Sequence, residues 1–170
     1  MTHDISVIIV NWNTRDLLIQ CLSSIEQTLP EHIAYDVWVV DNASSDGSPS
    51  AVEAGFPNIH LIKNRVNEGF GAANNKALER MTGRYALLLN TDAVLTPGAV
   101  QALYAFMETH PRAAMACGQL LNPDGSKQNS IANFPSLSLL LLNETFLRIL
   151  FPGRFPSKRK EYTAPIEIES

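Results

Sequence analysis

From Ile5 to Asn122 the chain alternates between short Val/Ile/Leu-rich runs and longer segments with apolar residues at helical spacing, and few folds accept that alternation. "ISVIIVNW" reads as a buried strand. In "TRDLLIQCLSSIEQTL", Leu17, Leu18, Cys21, Leu22 and Ile25 recur at helical spacing, and Thr14 is placed to cap the start. "YDVWVVD" is a second strand, followed by the turn-rich "NASSDGSPS" and a short helix in "PSAVEAGF". "NIHLIKN" is a third strand, and "RVNEGFGAANNKALERMTG" a loop that runs into a helix starting near Ala72 and ending at Gly83. "RYALLLN" is a fourth strand, "TPGAVQALYAFMETHP" a helix with Pro97 near its first turn, and "AAMACGQLLN" a fifth strand. Strands separated by helices in this way form β-α-β units, so the expected class is α/β: a Rossmann-like, mostly parallel sheet flanked by helices.

Ligands of open sheets of this kind bind beyond the carboxyl ends of the strands. Polar residues stand at those ends: Asn11-Trp12-Asn13, Asp41-Asn42, Lys63-Asn64 and Asn90-Thr91-Asp92. They are far apart in sequence but meet on one rim if the strands are parallel and adjacent. A carboxylate at Asp41 can accept a hydrogen bond from a nucleobase N–H or a ribose hydroxyl. Asp46, in "DGSPS", reads instead as a helix entry. In "NEGFGAANN" the glycines permit close approach to a ligand, and the following helix start favours phosphate; a packing turn has the same look. The segment departs from the dinucleotide fingerprint, since Asn74 stands at the third glycine position and the third strand, not the first, precedes it. For Asp92 spacing leaves two readings open. It caps the turn before Pro97, or it holds Mg²⁺ or Mn²⁺ against a diphosphate, with Asn90 a neutral neighbour.

Composition narrows the partners. A net charge of −4 argues against nucleic acid. Cys21 and Cys117 lack metal-ligand spacing and read as buried reduced thiols, which fits a cytoplasmic protein. The start "MTHDISVIIVNWN" has no signal-peptide pattern, and no apolar run reaches the roughly 20 residues of a membrane helix. His3, His32, His60 and His110 are isolated and read as surface or loop residues. The character changes after Gly125, giving an expected division into 1–125 and 126–170. The latter holds an apolar helix in "LSLLLLNETFLRILF" and a basic, proline-containing tail ending in "IEIE", the look of a strand cut short.

Four stretches, "SVIIVNWN", "VVDNASSDGS", "NEGFGAANN" and "LLLNTDAVLTPGAV", together resemble the inverting glycosyltransferases of family 2, with the GT-A fold. The resemblance covers roughly residues 5 to 125. It is strongest to the rhamnosyltransferase-like branch, where Asn-x-Asp stands in place of Asp-x-Asp. It implies transfer of a sugar, with inversion, from a nucleotide diphosphate sugar (a dTDP- or UDP-sugar, dTDP-rhamnose among them) to a glycan or lipid-linked acceptor of cell-surface polysaccharide. By position, Asp41 would contact the base, and Asn11 and Asn13 would line the nucleotide pocket. Asn67, Gly69 and Asn75 would lie against nucleotide or sugar. Asn90 and Asp92 would form the metal motif, with Asp92 the ligand of Mg²⁺ or Mn²⁺.

The family's general base, an acidic residue of the second half, has no counterpart here; Glu161, Glu167 and Glu169 precede its expected place. The expectation is therefore a donor-binding half, truncated before the acceptor-binding half, with the base beyond Ser170. The 137–151 segment then packs on the missing half, lies on the inner face of the membrane, or drives self-association. Two alternatives are a non-catalytic nucleotide-binding or assembly module and a sugar-phosphate nucleotidyltransferase. Against the latter, residues 11–15 contain no glycine.

Overall fold

The computed structural model describes residues 3–128. The chain divides into two compact units, Met1–Ala116 and Cys117–Ser170. The first holds β1 (Ile5–Asn11), α1 (Arg15–Thr28), β2 (Tyr35–Asp41), α2 (Ser48–Gly55), β3 (His60–Lys63), α3 (Phe70–Leu78), β4 (Tyr85–Asn90) and α4 (Ala99–Thr109). Among the described residues the sheet has four strands, ordered β3-β2-β1-β4, and all are parallel.

β1 is central and nearly continuous in apolar residues because both its faces are covered. Ile5, Val7 and Ile9 pack with Leu18, Cys21, Leu22 and Ile25 of α1, Val52 of α2 and Val100 of α4. On the opposite face Ile8 packs with Val40 and with Ala73 and Ala77 of α3, whose small side chains bring that helix close to the sheet. Each fully buried Ile or Leu of this core contributes roughly 1.5–3 kcal/mol. β4 pairs with β1 and alternates half-buried with exposed positions; Leu88 is 51% exposed.

The approach of β4 to β1 depends on Gly83. Its N–H donates to the buried Ser6 hydroxyl at 2.9 Å, and a Cβ there would fall 2.3 Å from the backbone nitrogen of Ser6.

Five local expectations need correction. α3 ends at Leu78, not at Gly83. "AAMACGQLLN" forms no strand: it contains no β-branched residue and carries Gly118, so little favours an extended pairing. Cys117, within it, is exposed, not buried. Pro97 precedes α4, because Gly98 takes a left-handed φ of 82° and delays the helix to Ala99. Thr14 occupies the N-cap position of α1, yet its hydroxyl donates to Asn11 and gives no cap bond. In the second unit Leu121 bridges Lys127 across a turn with a positive φ at Gly125. The expected 137–151 helix, the basic tail, Glu161, Glu167 and Glu169 lie outside the described residues.

Candidate functional site

Strand register assembles the rim. Asn11 lies opposite Asp41, Asp41 opposite Lys63, and Val10 opposite Asn90. The strand order reverses at β1, whose neighbours are β2 and β4, and α1 and α3 lie on opposite faces. A crevice at such a reversal is the usual ligand position in open α/β sheets.

Two kinds of residue occupy the rim. The first is a buried polar layer. Asn11 is fully buried; its Nδ2 donates to Asp41 Oδ1 at 2.8 Å and to Ser44 Oγ at 3.1 Å, and its Oδ1 accepts from the Thr14 hydroxyl at 2.8 Å. Asp41, 2% exposed, also accepts the Ser44 N–H at Oδ2 over 2.9 Å. Both carboxylate oxygens are thus bonded inside the protein, and they hold the loop after β2. Ala43 in that loop has φ 61°, a left-handed conformation that costs a non-glycine residue on the order of 1 kcal/mol. On the same rim the Thr14 and Thr91 hydroxyls meet at 3.0 Å and tie the end of β4 to the start of α1.

The second kind is exposed. Asn13, at φ 53°, accepts the Ser45 N–H with its Oδ1 at 2.8 Å. Asn67 accepts the Gly69 N–H at 2.9 Å, and Gly69 adopts φ 82°, ψ 167°, a region open to glycine. Asn75 is exposed on α3, and Asn90 and Asp92 are exposed at the end of β4. Among the described residues no hydrogen bond reaches the Asp92 carboxylate, so Asp92 does not cap the turn before Pro97. That turn closes through backbone, from Ala93 N–H to the Asn90 carbonyl. Cys21, below this turn, has its thiol pushed up to about 12, by burial first and then by the Asp92 charge. Asp46 behaves as the helix entry expected of it: it accepts the N–H groups of Ser48 and Arg15, the latter the first residue of α1.

Sequence reasoning assigned no role to Trp12, which is 56% exposed just after β1, nor to the buried amides of Asn42 and Asn64. All three stand at strand ends; which of them is exposed depends on long-range packing that no local pattern reveals.

The glycosyl transferase family 2 profile matches residues 6–164. A relative in Mycobacterium tuberculosis, an N-acetylglucosaminyl-diphospho-decaprenol L-rhamnosyltransferase, is 27% identical over 148 residues, covering 81% of this chain and 48% of the relative. The chain therefore spans about half the length of that curated relative. The structure of S. aureus TarS 1-349 in complex with UDP aligns with a TM-score of 0.58 and 25% identity, over 64% of this chain and 33% of that one. A mannosyltransferase of Pyrobaculum calidifontis, solved with GDP-Man and Mn²⁺, shares the fold with a TM-score of 0.59 at 23% identity, over 73% and 37% of the two chains. The chain belongs to glycosyl transferase family 2, and its parallel sheet is of the GT-A type.

Proposed function

We propose that the rim binds a nucleotide diphosphate sugar and that the chain is the donor-binding part of an inverting glycosyltransferase. One observation carries this reading: Asp92 stands exposed just past the end of β4, the neighbour of β1, with no hydrogen bond to its carboxylate among the described residues. A structural turn residue would spend that carboxylate locally.

Asp92 suits Mg²⁺ or Mn²⁺ on a diphosphate, since such sites use one or two carboxylates completed by substrate oxygens and water. The bound cation would neutralise the diphosphate as a leaving group. Trp12 offers a flat, exposed face for a nucleobase or sugar. Asn13, Asn67, Gly69, Asn75 and Asn90 are the exposed polar groups that would contact the donor. Asn11 and Asp41 would act from beneath, holding the loop that carries Ser44 and Ser45. The division of labour is then a donor-binding part over 1–125 and a following part, from 126 onward, that leads to the acceptor site and general base.

The relatives suggest the ligands. The mycobacterial enzyme is by name a rhamnosyltransferase acting on a diphospho-decaprenol-linked sugar, and TarS was solved with UDP. The first name points to a lipid-linked glycan as this chain's acceptor and the second to a UDP-sugar as its donor, with a dTDP-sugar the other donor in view. No helix among the described residues is long and apolar enough to cross a membrane.

Calorimetry with UDP, dTDP and GDP, with and without Mn²⁺, tests the reading on this chain and on Asp92→Ala. Metal-dependent binding of one nucleotide, lost in Asp92→Ala, supports it. Equal binding by both chains, or none by the folded wild-type chain, overturns it.

A further inference from the structure

Beneath the exposed loop 65–69 lies a chain of side-chain hydrogen bonds that starts at a single charge. The Lys76 ammonium, on α3, donates to Asn64 Oδ1 at 2.7 Å and to Glu68 Oε1 at 2.6 Å. Asn64 Nδ2 donates to Asn42 Oδ1 at 2.8 Å. Asn42 Oδ1 also accepts the Glu68 N–H at 3.3 Å, and Asn42 Nδ2 donates to the Gly69 carbonyl at 3.3 Å. Asn42 and Asn64 are 2% and 9% exposed.

An ammonium only donates, whereas a carboxamide has one accepting and one donating end. Lys76 therefore turns Asn64 so that Oδ1 faces it. That leaves Asn64 Nδ2 toward Asn42, which must answer with Oδ1. Asn42 Nδ2 is then left for the Gly69 carbonyl. We propose that Lys76 is a positioning residue: through two buried amides it sets the orientation of the Glu68–Gly69 backbone, and so how residues 67–71 meet the donor. The consequence for binding rests on the nucleotide-sugar reading above; the orientation relay does not.

The relay predicts the effect of reversing polarity without changing shape. Asn64→Asp keeps an acceptor toward Lys76 but places a second acceptor against Asn42 Oδ1. Asn42 must then flip, bringing its Oδ1 to the Gly69 carbonyl and its Nδ2 to the Glu68 N–H. Lys76→Met removes the origin of the relay, and Lys76→Arg restores a donor-only group.

The experiment is amide hydrogen exchange of the ligand-free chain, read at Glu68, whose N–H is the one that Asn42 accepts, together with calorimetry of the nucleoside diphosphate with Mn²⁺. Asn64→Asp and Lys76→Met are expected to speed exchange at the Glu68 amide and to weaken binding several-fold, on the order of tenfold for Asn64→Asp. Lys76→Arg is expected to stay near wild type in both. A folded Asn64→Asp chain with wild-type exchange at Glu68 overturns the relay. Faster exchange with unchanged affinity overturns the positioning role. A wild-type chain that binds no nucleotide defeats the donor reading instead, and exchange alone then decides the relay.

Discussion

Asn11 and Asp41 are register partners at the ends of β1 and β2, and the Asn11 amide donates to the Asp41 carboxylate over 2.8 Å with both residues buried. Each group completes the other, and the second Asp41 oxygen takes the Ser44 N–H at 2.9 Å. Both oxygens act as acceptors here. Asp41→Asn would set an NH₂ group against one of these donors. The expected cost is about 1–3 kcal/mol, that of a buried polar group facing the wrong partner. Thermal unfolding should show a drop of several degrees. An unchanged Tm would mean that the carboxylate is not committed to this pair.

Asp46 gives the loop after β2 a pH dependence. Burial alone would raise its carboxyl, but the hydroxyl and N–H of Ser48 and the N–H of Arg15 outweigh burial and hold it below its ordinary value. The folded state then binds this proton more weakly than the unfolded chain does. The stabilisation is present above the unfolded pKa of about 4 and is lost as the pH falls through the lower folded value. The Tm difference between wild type and Asp46→Asn should be largest near neutrality and shrink steadily below about pH 4. A difference that holds constant to low pH would contradict this.

Much of the fold was legible because each strand run and each helix period is local. The strand order is not local, and it follows from which faces are apolar. "YALLLN" looks as buried as "ISVIIV", yet β4 exposes Leu88 while β1 exposes nothing comparable. That difference depends on what packs over each strand. The site shows the same limit. Asp41 and Asp92 are both carboxylates at strand ends, and their sequence surroundings do not separate them. Asp41 is bonded inside because Asn11, 30 positions away, lies opposite in the sheet. Asp92 is exposed, and its turn closes from the Ala93 N–H to the Asn90 carbonyl without using its carboxylate. "AAMACGQLLN" misleads for a different reason: it is apolar enough for a strand but lacks β-branched residues to favour one.

Gly83 sets how closely the chain entering β4 approaches β1. A methyl group there would overlap the Ser6 nitrogen at 2.3 Å and the Ile5 carbonyl carbon at 2.6 Å, both backbone atoms that cannot swing aside. Gly83→Ala should destabilise the protein by about 1–3 kcal/mol, the usual cost of overpacking. Denaturant unfolding would show this as a lower midpoint at unchanged slope. A wild-type midpoint would mean that the β1–β4 pairing can shift without cost.

Asn90 offers the sharpest test of the cation site, because substitution there should improve it. The residue is exposed at the end of β4, two positions before Asp92, and its backbone carbonyl accepts the Ala93 N–H and the Cys21 thiol. Among the described residues its side chain has no hydrogen bond, so Asn90→Asp removes nothing from the fold. Divalent-cation affinity rises with the number of carboxylates in the set. Asn90→Asp should therefore bind Mn²⁺ more tightly, on the order of tenfold, in the presence of nucleoside diphosphate. Without metal, two neighbouring negative charges should leave Tm unchanged or slightly lowered, within about 0.5 kcal/mol for a surface position. Saturating Mn²⁺ should then raise the variant's Tm more than the wild type's, and a chelator should reverse the gain. A gain in Tm that appears only with metal separates a shared cation site from simple charge repulsion. A variant that responds to Mn²⁺ no more than wild type would show that the two side chains do not share a cation.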